Sequence, residues 1–75
     1  MSPQLPSLSS REVIAALQKA GFAVIPARGK GSHTFLYRPD PPTGLTVPKG
    51  EIGRGLLRAI IRQAGMTVEE FLKLL

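Results

Sequence analysis

Proline and glycine residues divide the middle of this chain into three short runs of strand-forming residues. The runs cover residues 22–25, 32–38 and 45–47. Pro26 and the segment from Gly29 to Gly31 separate the first two runs. The segment from Pro39 to Gly44 separates the second run from the third, and Pro48 stops the last one. Because strands joined by short turns pair with their neighbours in sequence, this pattern predicts a three-stranded antiparallel meander.

A helical pattern precedes the predicted sheet. Ser9 and Glu12 have the spacing of a capping box, in which the two residues exchange hydrogen bonds at the start of a helix. Apolar residues then follow at helical spacing until Gly21, a residue that readily takes the left-handed conformation of a helix end. The first helix is therefore predicted over residues 10–20.

Two more helices are predicted after the sheet. An apolar stripe runs from Leu56 to Ala64 and stops at Gly65, and a second capping-box pattern joins Thr67 to Glu70. The order of elements is then α-β-β-β-α-α. Helices that flank a small antiparallel sheet in sequence usually pack on one of its faces, so the chain is predicted to be an α+β two-layer domain whose other sheet face is left open.

The first eight residues are predicted to be a flexible N-terminal tail. They hold two prolines among serines and polar residues and show no periodicity, so the folded domain is expected to cover residues 9–75. No stretch approaches the roughly 20 apolar residues that cross a bilayer, and the pattern of a secretory signal is missing. A cytoplasmic location and no membrane partner are therefore expected.

The composition favours a polyanion as partner and excludes several kinds of chemistry. The chain of 75 residues carries a formal net charge of +5. With no cysteine and one histidine, it has no disulfide, no thiolate nucleophile and no cysteine zinc site, and we expect no metal or other cofactor. One group of cations surrounds the predicted strands and consists of Arg28, Lys30, Arg38 and Lys49. A second group forms a stripe on the long second helix, as is typical of a solvated face, and consists of Arg54, Arg58 and Arg62.

The single histidine, His33, lies where a cationic, glycine-rich segment enters the second strand. Arg28, Lys30, Gly31 and Ser32 belong to this segment. Imidazole can take or give a proton near neutral pH because its unperturbed pKa is about 6.5, and a phosphate-rich substrate could bind the neighbouring cations. The pattern fits a ribonuclease-like site, and it also fits a surface histidine without a role.

The second strand has two possible orientations in the sheet. Alternation places His33, Phe35 and Tyr37 on one side and Leu36 and Arg38 on the other. If Leu36 faces the helices, the two aromatic rings stand beside His33, where they can stack on bases or pack under a protein partner. If the aromatic rings belong to the core, His33 lies at the rim of the core. The sequence leaves both orientations open.

Taken in order, these motifs resemble the HicA toxins, a family of small bacterial mRNA interferases with a fold like that of double-stranded-RNA-binding domains. The matching segments are Ser10 to Val13, Ala20 to Phe22, Gly31-Ser32-His33, Pro39-Asp40, Thr46 to Pro48, Leu57 to Gly65, and the glutamate-rich start of the last helix leading to Phe71. The resemblance implies that His33 is the catalytic residue of an endoribonuclease that cleaves mRNA. It also implies a partner, an antitoxin of the HicB type, that neutralises the toxin by covering the site around His33.

The chemistry of RNA cleavage fits these residues. No metal is needed if the 2′-hydroxyl attacks the neighbouring phosphate, provided that a base, an acid and cations assist, and this route predicts RNA rather than DNA as substrate. His33 can be the base, and the acid is left open between His33, Lys30, Tyr37 and solvent. The residues predicted to bind RNA are Arg28, Lys30, Gly31, Ser32, Arg38 and Lys49. Two alternatives remain, namely a module that binds RNA without cutting it and a protein-interaction domain that has lost activity.

Overall fold

The computed structural model describes residues 5–26 and 33–75. Its central element is a small three-stranded sheet, and helices cover one face of this sheet. The strands are β1 (Leu8–Ser9), β2 (Ala23–Val24), β3 (His33–Pro39), β4 (Pro42–Pro48) and β5 (Glu51–Ile52). The helices are α1 (Ser10–Lys19), α2 (Arg54–Gln63) and α3 (Val68–Leu72). The sheet has the antiparallel order β2-β3-β4, and β1 pairs separately with β5. The predicted α+β class is confirmed. Within the described ranges, no helix is long and apolar enough to cross a membrane.

The first capping box forms as predicted and sets the start of α1. The amide of Glu12 donates to Ser9 Oγ at 3.2 Å, and the amide of Ser9 donates to Glu12 Oε1 at 2.9 Å. The backbone hydrogen bond from Ser9, helped by a second one from its hydroxyl, lowers the pKa of the Glu12 carboxyl. The capping box is therefore fully formed at neutral pH and weakens as the pH falls through that lowered pKa. Gly21, with φ +100°, ends the helical segment as predicted.

The other two helices also begin and end close to the predicted positions. The amide of Thr67 donates to Glu70 Oε1 at 2.7 Å, and the amide of Glu70 donates to Thr67 Oγ1 at 3.1 Å, which completes the second capping box at α3. The chain leaves α2 through Gly65, whose φ is +77°. Helix α2 follows Gly53, which has no side chain to cap it.

The core lies between the helices and one face of the sheet, and it fixes the orientation of β3. Leu36 is 0% exposed and pairs with Leu45, and Val47 is buried beside them on the same face. The largest fully buried side chains are Phe71, Leu5, Leu17, Leu36, Ile52, Leu57, Ile60, Ile61, Val13 and Val47. Of the two orientations that the sequence left open, the structure has the one in which Leu36 faces the helices.

The turn between the second and third predicted strands is shorter than expected. Residues 39–44 were predicted to form a turn, whereas β3 continues to Pro39 and β4 begins at Pro42, so that only two residues connect them. Among the described strands, β4 pairs only with β3 and is therefore an edge strand, a position that tolerates proline because one side of the strand makes no ladder hydrogen bonds. Strand β4, which corresponds to the third predicted strand, is therefore longer than the predicted residues 45–47.

Residues 5–8 are part of the folded domain, which corrects the prediction of a flexible tail for this segment. Leu5 is 2% exposed and Leu8 is buried, and Leu8 pairs with Ile52 in the short β1 to β5 ladder. Ser7 Oγ donates to Glu51 Oε2 at 2.9 Å. The sequence showed no periodicity here because the segment makes separated contacts with a distant part of the chain instead of forming a long helix or strand.

Candidate functional site

The face of the sheet turned away from the helices, here called the outer face, carries His33, Phe35 and Tyr37. His33 is exposed at the first position of β3, Phe35 is half-buried, and Tyr37 is 37% exposed. Since Leu36 between the two aromatic residues points into the core, the three side chains follow one another along one side of the strand. The structure thus places a titratable group in line with two aromatic rings.

A shallow depression on the outer face is built around Phe35. It measures about 360 Å³ and is lined by Ile25, Phe35, Tyr37 and Gly44. A Cβ atom added at Gly44 would lie only 2.8 Å from Phe35 Cζ, which means that the phenyl ring lies across the glycine on the neighbouring strand. The amide of Ile25 donates to the carbonyl oxygen of Phe35 at 2.9 Å and ties the edge of the depression to β3. The missing side chain at Gly44 therefore allows the ring to form a flat apolar floor.

Substituting Gly44 with alanine is expected to displace the Phe35 ring. The added methyl group overlaps the position of Phe35 Cζ, and we expect a cost of about 1 kcal/mol in the free energy of unfolding together with shifted NMR resonances of that ring. The matched control is Gly55→Ala in α2, where nothing lies within 4 Å of the new Cβ. That change should stabilise the protein by about 0.5–1 kcal/mol. A Gly44→Ala variant with unmoved ring resonances would contradict this view of the depression.

Lys49 is at the same end of the sheet as His33. His33 pairs with Pro48, the last residue of β4, and the exposed Lys49 follows directly. Two of the predicted site residues therefore lie at the same end of the sheet. The other candidates in the segment before His33, which are Arg28, Lys30, Gly31 and Ser32, lie outside the described residues, as does the predicted turn from Gly29 to Gly31.

Tyr37 is too far along the strand to act on the same phosphate as His33. Both side chains are on the outer face, and four residues of extended strand separate them by about 13 Å. Phe35 lies between them. Of the groups considered above as the acid, the geometry therefore disfavours Tyr37.

Arg38, one of the residues predicted to bind RNA, lies with Leu36 on the side of β3 that faces the helices. Its Nη2 donates to the carbonyl oxygen of Ala64 at 3.1 Å, and its Cζ is 4.7 Å from the centre of the Phe22 ring. A Cβ at Gly21 would be 3.7 Å from Arg38 Cδ, and one at Gly65 would be 3.6 Å from its Nη2. The guanidinium thus lies at the C-terminal ends of α1 and α2, where the helix dipoles favour a cation. Arg38 therefore joins the sheet to both helices from the face opposite to His33, and its contact with RNA stays a prediction.

Substituting Arg38 with methionine is expected to lower the free energy of unfolding by about 1–2 kcal/mol. The change removes a charge-assisted hydrogen bond and the contact with Phe22, which both stabilise the fold. It also removes a buried Nε that has no acceptor among the described residues, and this gain offsets part of the cost. Urea denaturation measures the change, with the exposed Arg62→Met as control. The folded Arg38→Met protein should bind RNA with the same affinity as the Arg62→Met control. A loss of RNA affinity in Arg38→Met alone would support the predicted contact between Arg38 and RNA.

A second depression lies between α1 and the end of the sheet that carries His33. It measures about 470 Å³, and Arg11, Gln18, Thr34 and Lys49 are among the residues that line it. Arg11 is not among the residues predicted to bind RNA, because no local pattern connects it to Lys49, which lies 38 positions further along the chain. In the part of the chain that the structure describes, no group of three or more histidine, aspartate or glutamate side chains comes together as a metal site.

The geometry defines a small basic α+β domain with a histidine at one end of its central strand. The family model of the HicA toxin of bacterial toxin-antitoxin systems matches residues 10–66, from the start of α1 to just beyond α2. No protein with a curated description matches the chain closely enough to count as a relative. Since the match covers more than half of the chain, the protein belongs to the HicA toxin family. Its role is that of the toxin in a toxin-antitoxin pair, which confirms the resemblance seen in the sequence.

Proposed function

We propose that this toxin is a metal-independent endoribonuclease that cleaves mRNA in the cytoplasm, with His33 as the general base. The observation that carries the proposal is the position of His33, which is exposed on the outer face at the end of the sheet that also carries Lys49. Membership of the HicA toxin family supports the same assignment, because the resemblance implies catalysis by the histidine of the Gly-Ser-His motif.

The proposed reaction uses the ribose as its own nucleophile. His33 removes the proton of a 2′-hydroxyl, and the 2′-oxygen forms a bond to the adjacent phosphorus. The bond from phosphorus to the 5′-oxygen then breaks, which leaves a 2′,3′-cyclic phosphate on one product and a 5′-hydroxyl on the other. The proton held by His33 can return to the departing 5′-oxygen, so that one imidazole serves as base and then as acid. Arg28 and Lys30, which lie outside the described residues, would offset the negative charge that builds up on the phosphate.

The apolar part of the outer face is suited to hold bases without reading their edges. Phe35 and Tyr37 continue the line from His33, and aromatic rings stack on any base because every base has a flat face. This supports weak sequence selectivity. It also supports single-stranded RNA as substrate, because bases in a duplex are already stacked on one another.

We further propose that the antitoxin is of the HicB type and binds over the outer face. A partner with acidic residues would complement the net charge of +5 and would exclude RNA from His33 by occupying the same surface. Burial of Tyr37 and Phe35 against it would also stabilise a small domain. The complex is expected to weaken as salt concentration rises.

The experiment that tests the proposal is cleavage of a labelled single-stranded RNA by the purified toxin in the presence of a chelator. Products that end in a 2′,3′-cyclic phosphate and a 5′-hydroxyl are the expected result, and expression without antitoxin should arrest growth of a bacterial host. Binding of the RNA without any product would assign the protein to the non-catalytic RNA-binding modules instead. Absence of both binding and cleavage would leave only a protein-interaction domain.

A further inference from the structure

We propose that the cleft between α1 and the end of the sheet binds a backbone phosphate of the RNA on one side of the cleavage point. The cleft is the depression of about 470 Å³ described above, and its two cations are Arg11 and Lys49. This inference rests on the proposed ribonuclease function, and it assigns a path for the part of the substrate that lies beyond His33.

Two hydrogen bonds hold the walls of the cleft together. The amide of Ser10 donates to the carbonyl oxygen of Gly50 at 2.7 Å, and the amide of Gly50 donates to Ser10 Oγ at 3.3 Å. Gly50 has φ +102°, a conformation that a residue with a side chain rarely adopts. The turn after β4 is thus fixed to the first turn of α1. Because Arg11 follows Ser10 and Lys49 precedes Gly50, this connection sets the two cations close to each other.

The cleft begins next to the proposed catalytic residue. Thr34, which lines the cleft, follows His33 in β3, and Lys49 follows Pro48, the pairing partner of His33. His33 is on the outer face and Thr34 points to the helix side, so a strand of RNA leaving His33 would pass over the end of the sheet into the cleft. A volume of this size is sufficient for a nucleotide.

The polar groups of the cleft fit a phosphate and the sugar attached to it. Arg11 and Lys49 supply the positive charge, and Gln18 and Thr34 supply side chains that can donate hydrogen bonds. Among the described residues that line the cleft there is no carboxylate. The two acidic residues nearest in sequence have partners elsewhere, since Glu12 belongs to the capping box and Glu51 accepts a hydrogen bond from Ser7.

The test compares RNA binding by two variants of equal charge. Both carry His33→Ala to prevent cleavage. The first adds Arg11→Gln and Lys49→Gln, and the second adds Arg58→Gln and Arg62→Gln, two exposed cations that line a separate depression between α2 and α3. The probe is a fluorescent 12-nucleotide oligouridylate, titrated at several salt concentrations. Urea denaturation confirms that each variant is folded.

The cleft variant is expected to bind the probe about tenfold more weakly than the His33→Ala protein. The slope of log affinity against log salt concentration should become shallower by about 0.7, because one phosphate contact is lost. The α2 variant should lose less than about threefold. Equal losses in both variants would overturn the inference, since only net charge would then matter, and so would unchanged binding by the cleft variant. Neither result bears on cleavage, which is measured in the wild type, so a failure of the proposed ribonuclease function would be seen separately.

Discussion

Replacing His33 with alanine is expected to abolish RNA cleavage and leave the fold intact. General base catalysis by a positioned side chain is typically worth about 10²–10⁴ in rate, and here one imidazole is proposed to serve as both base and acid. The side chain is exposed at the first position of β3 and lies outside the buried core, so the His33→Ala protein is expected to fold.

The measurement is the rate of cleavage of a labelled single-stranded RNA, followed from about pH 5 to 9 with a chelator present. The wild-type protein should cut the RNA with the chelator present, and no activity should remain in His33→Ala. Tyr37→Phe is the matched control, since it keeps the ring and removes a hydroxyl on the same face about 13 Å away along the strand. A His33→Ala protein that cuts at more than a tenth of the wild-type rate would refute the catalytic assignment. Loss of activity in the Tyr37→Phe variant would instead indicate that the tyrosine hydroxyl donates the proton to the departing 5′-oxygen.

The helix ends of this fold could be predicted from sequence because their causes are local. Ser9 with Glu12, and Thr67 with Glu70, exchange hydrogen bonds over three residues, and such pairs form independently of the rest of the chain. The orientation of β3 could not be predicted in this way, because Leu36 on one side is flanked by two aromatic residues on the other. Only the packing of the helices against Leu36 decides which side is buried.

The residues of the candidate site also differ in how far the sequence alone predicts their positions and contacts. His33 was found because it is the only imidazole in the chain and follows a cationic, glycine-rich segment. The structural contacts of Arg38 could not be predicted, because charge is ordinarily a sign of exposure and the hydrogen bond of Arg38 reaches the carbonyl oxygen of Ala64, 26 positions away. Arg11 was overlooked because its proximity to Lys49 depends on the hydrogen bonds between Ser10 and Gly50. The placements of Arg38 and Arg11 depend on contacts between distant parts of the chain, which a local sequence pattern does not show.

Replacing Leu5 with alanine is expected to lower the free energy of unfolding by about 2–4 kcal/mol, although the sequence alone places this residue in a flexible tail. Leu5 is 2% exposed within the core, and truncation of a buried leucine removes its burial and leaves a cavity. A core of this size supplies only about 3–5 kcal/mol in total, so the thermal midpoint should fall by more than about 10 °C. Thermal unfolding followed by circular dichroism measures the effect, with Leu56→Ala as the matched control because Leu56 is 44% exposed. If the two variants melt at the same temperature, the Leu5 side chain does not contribute to the core in solution. That result would support the flexible tail predicted from the sequence.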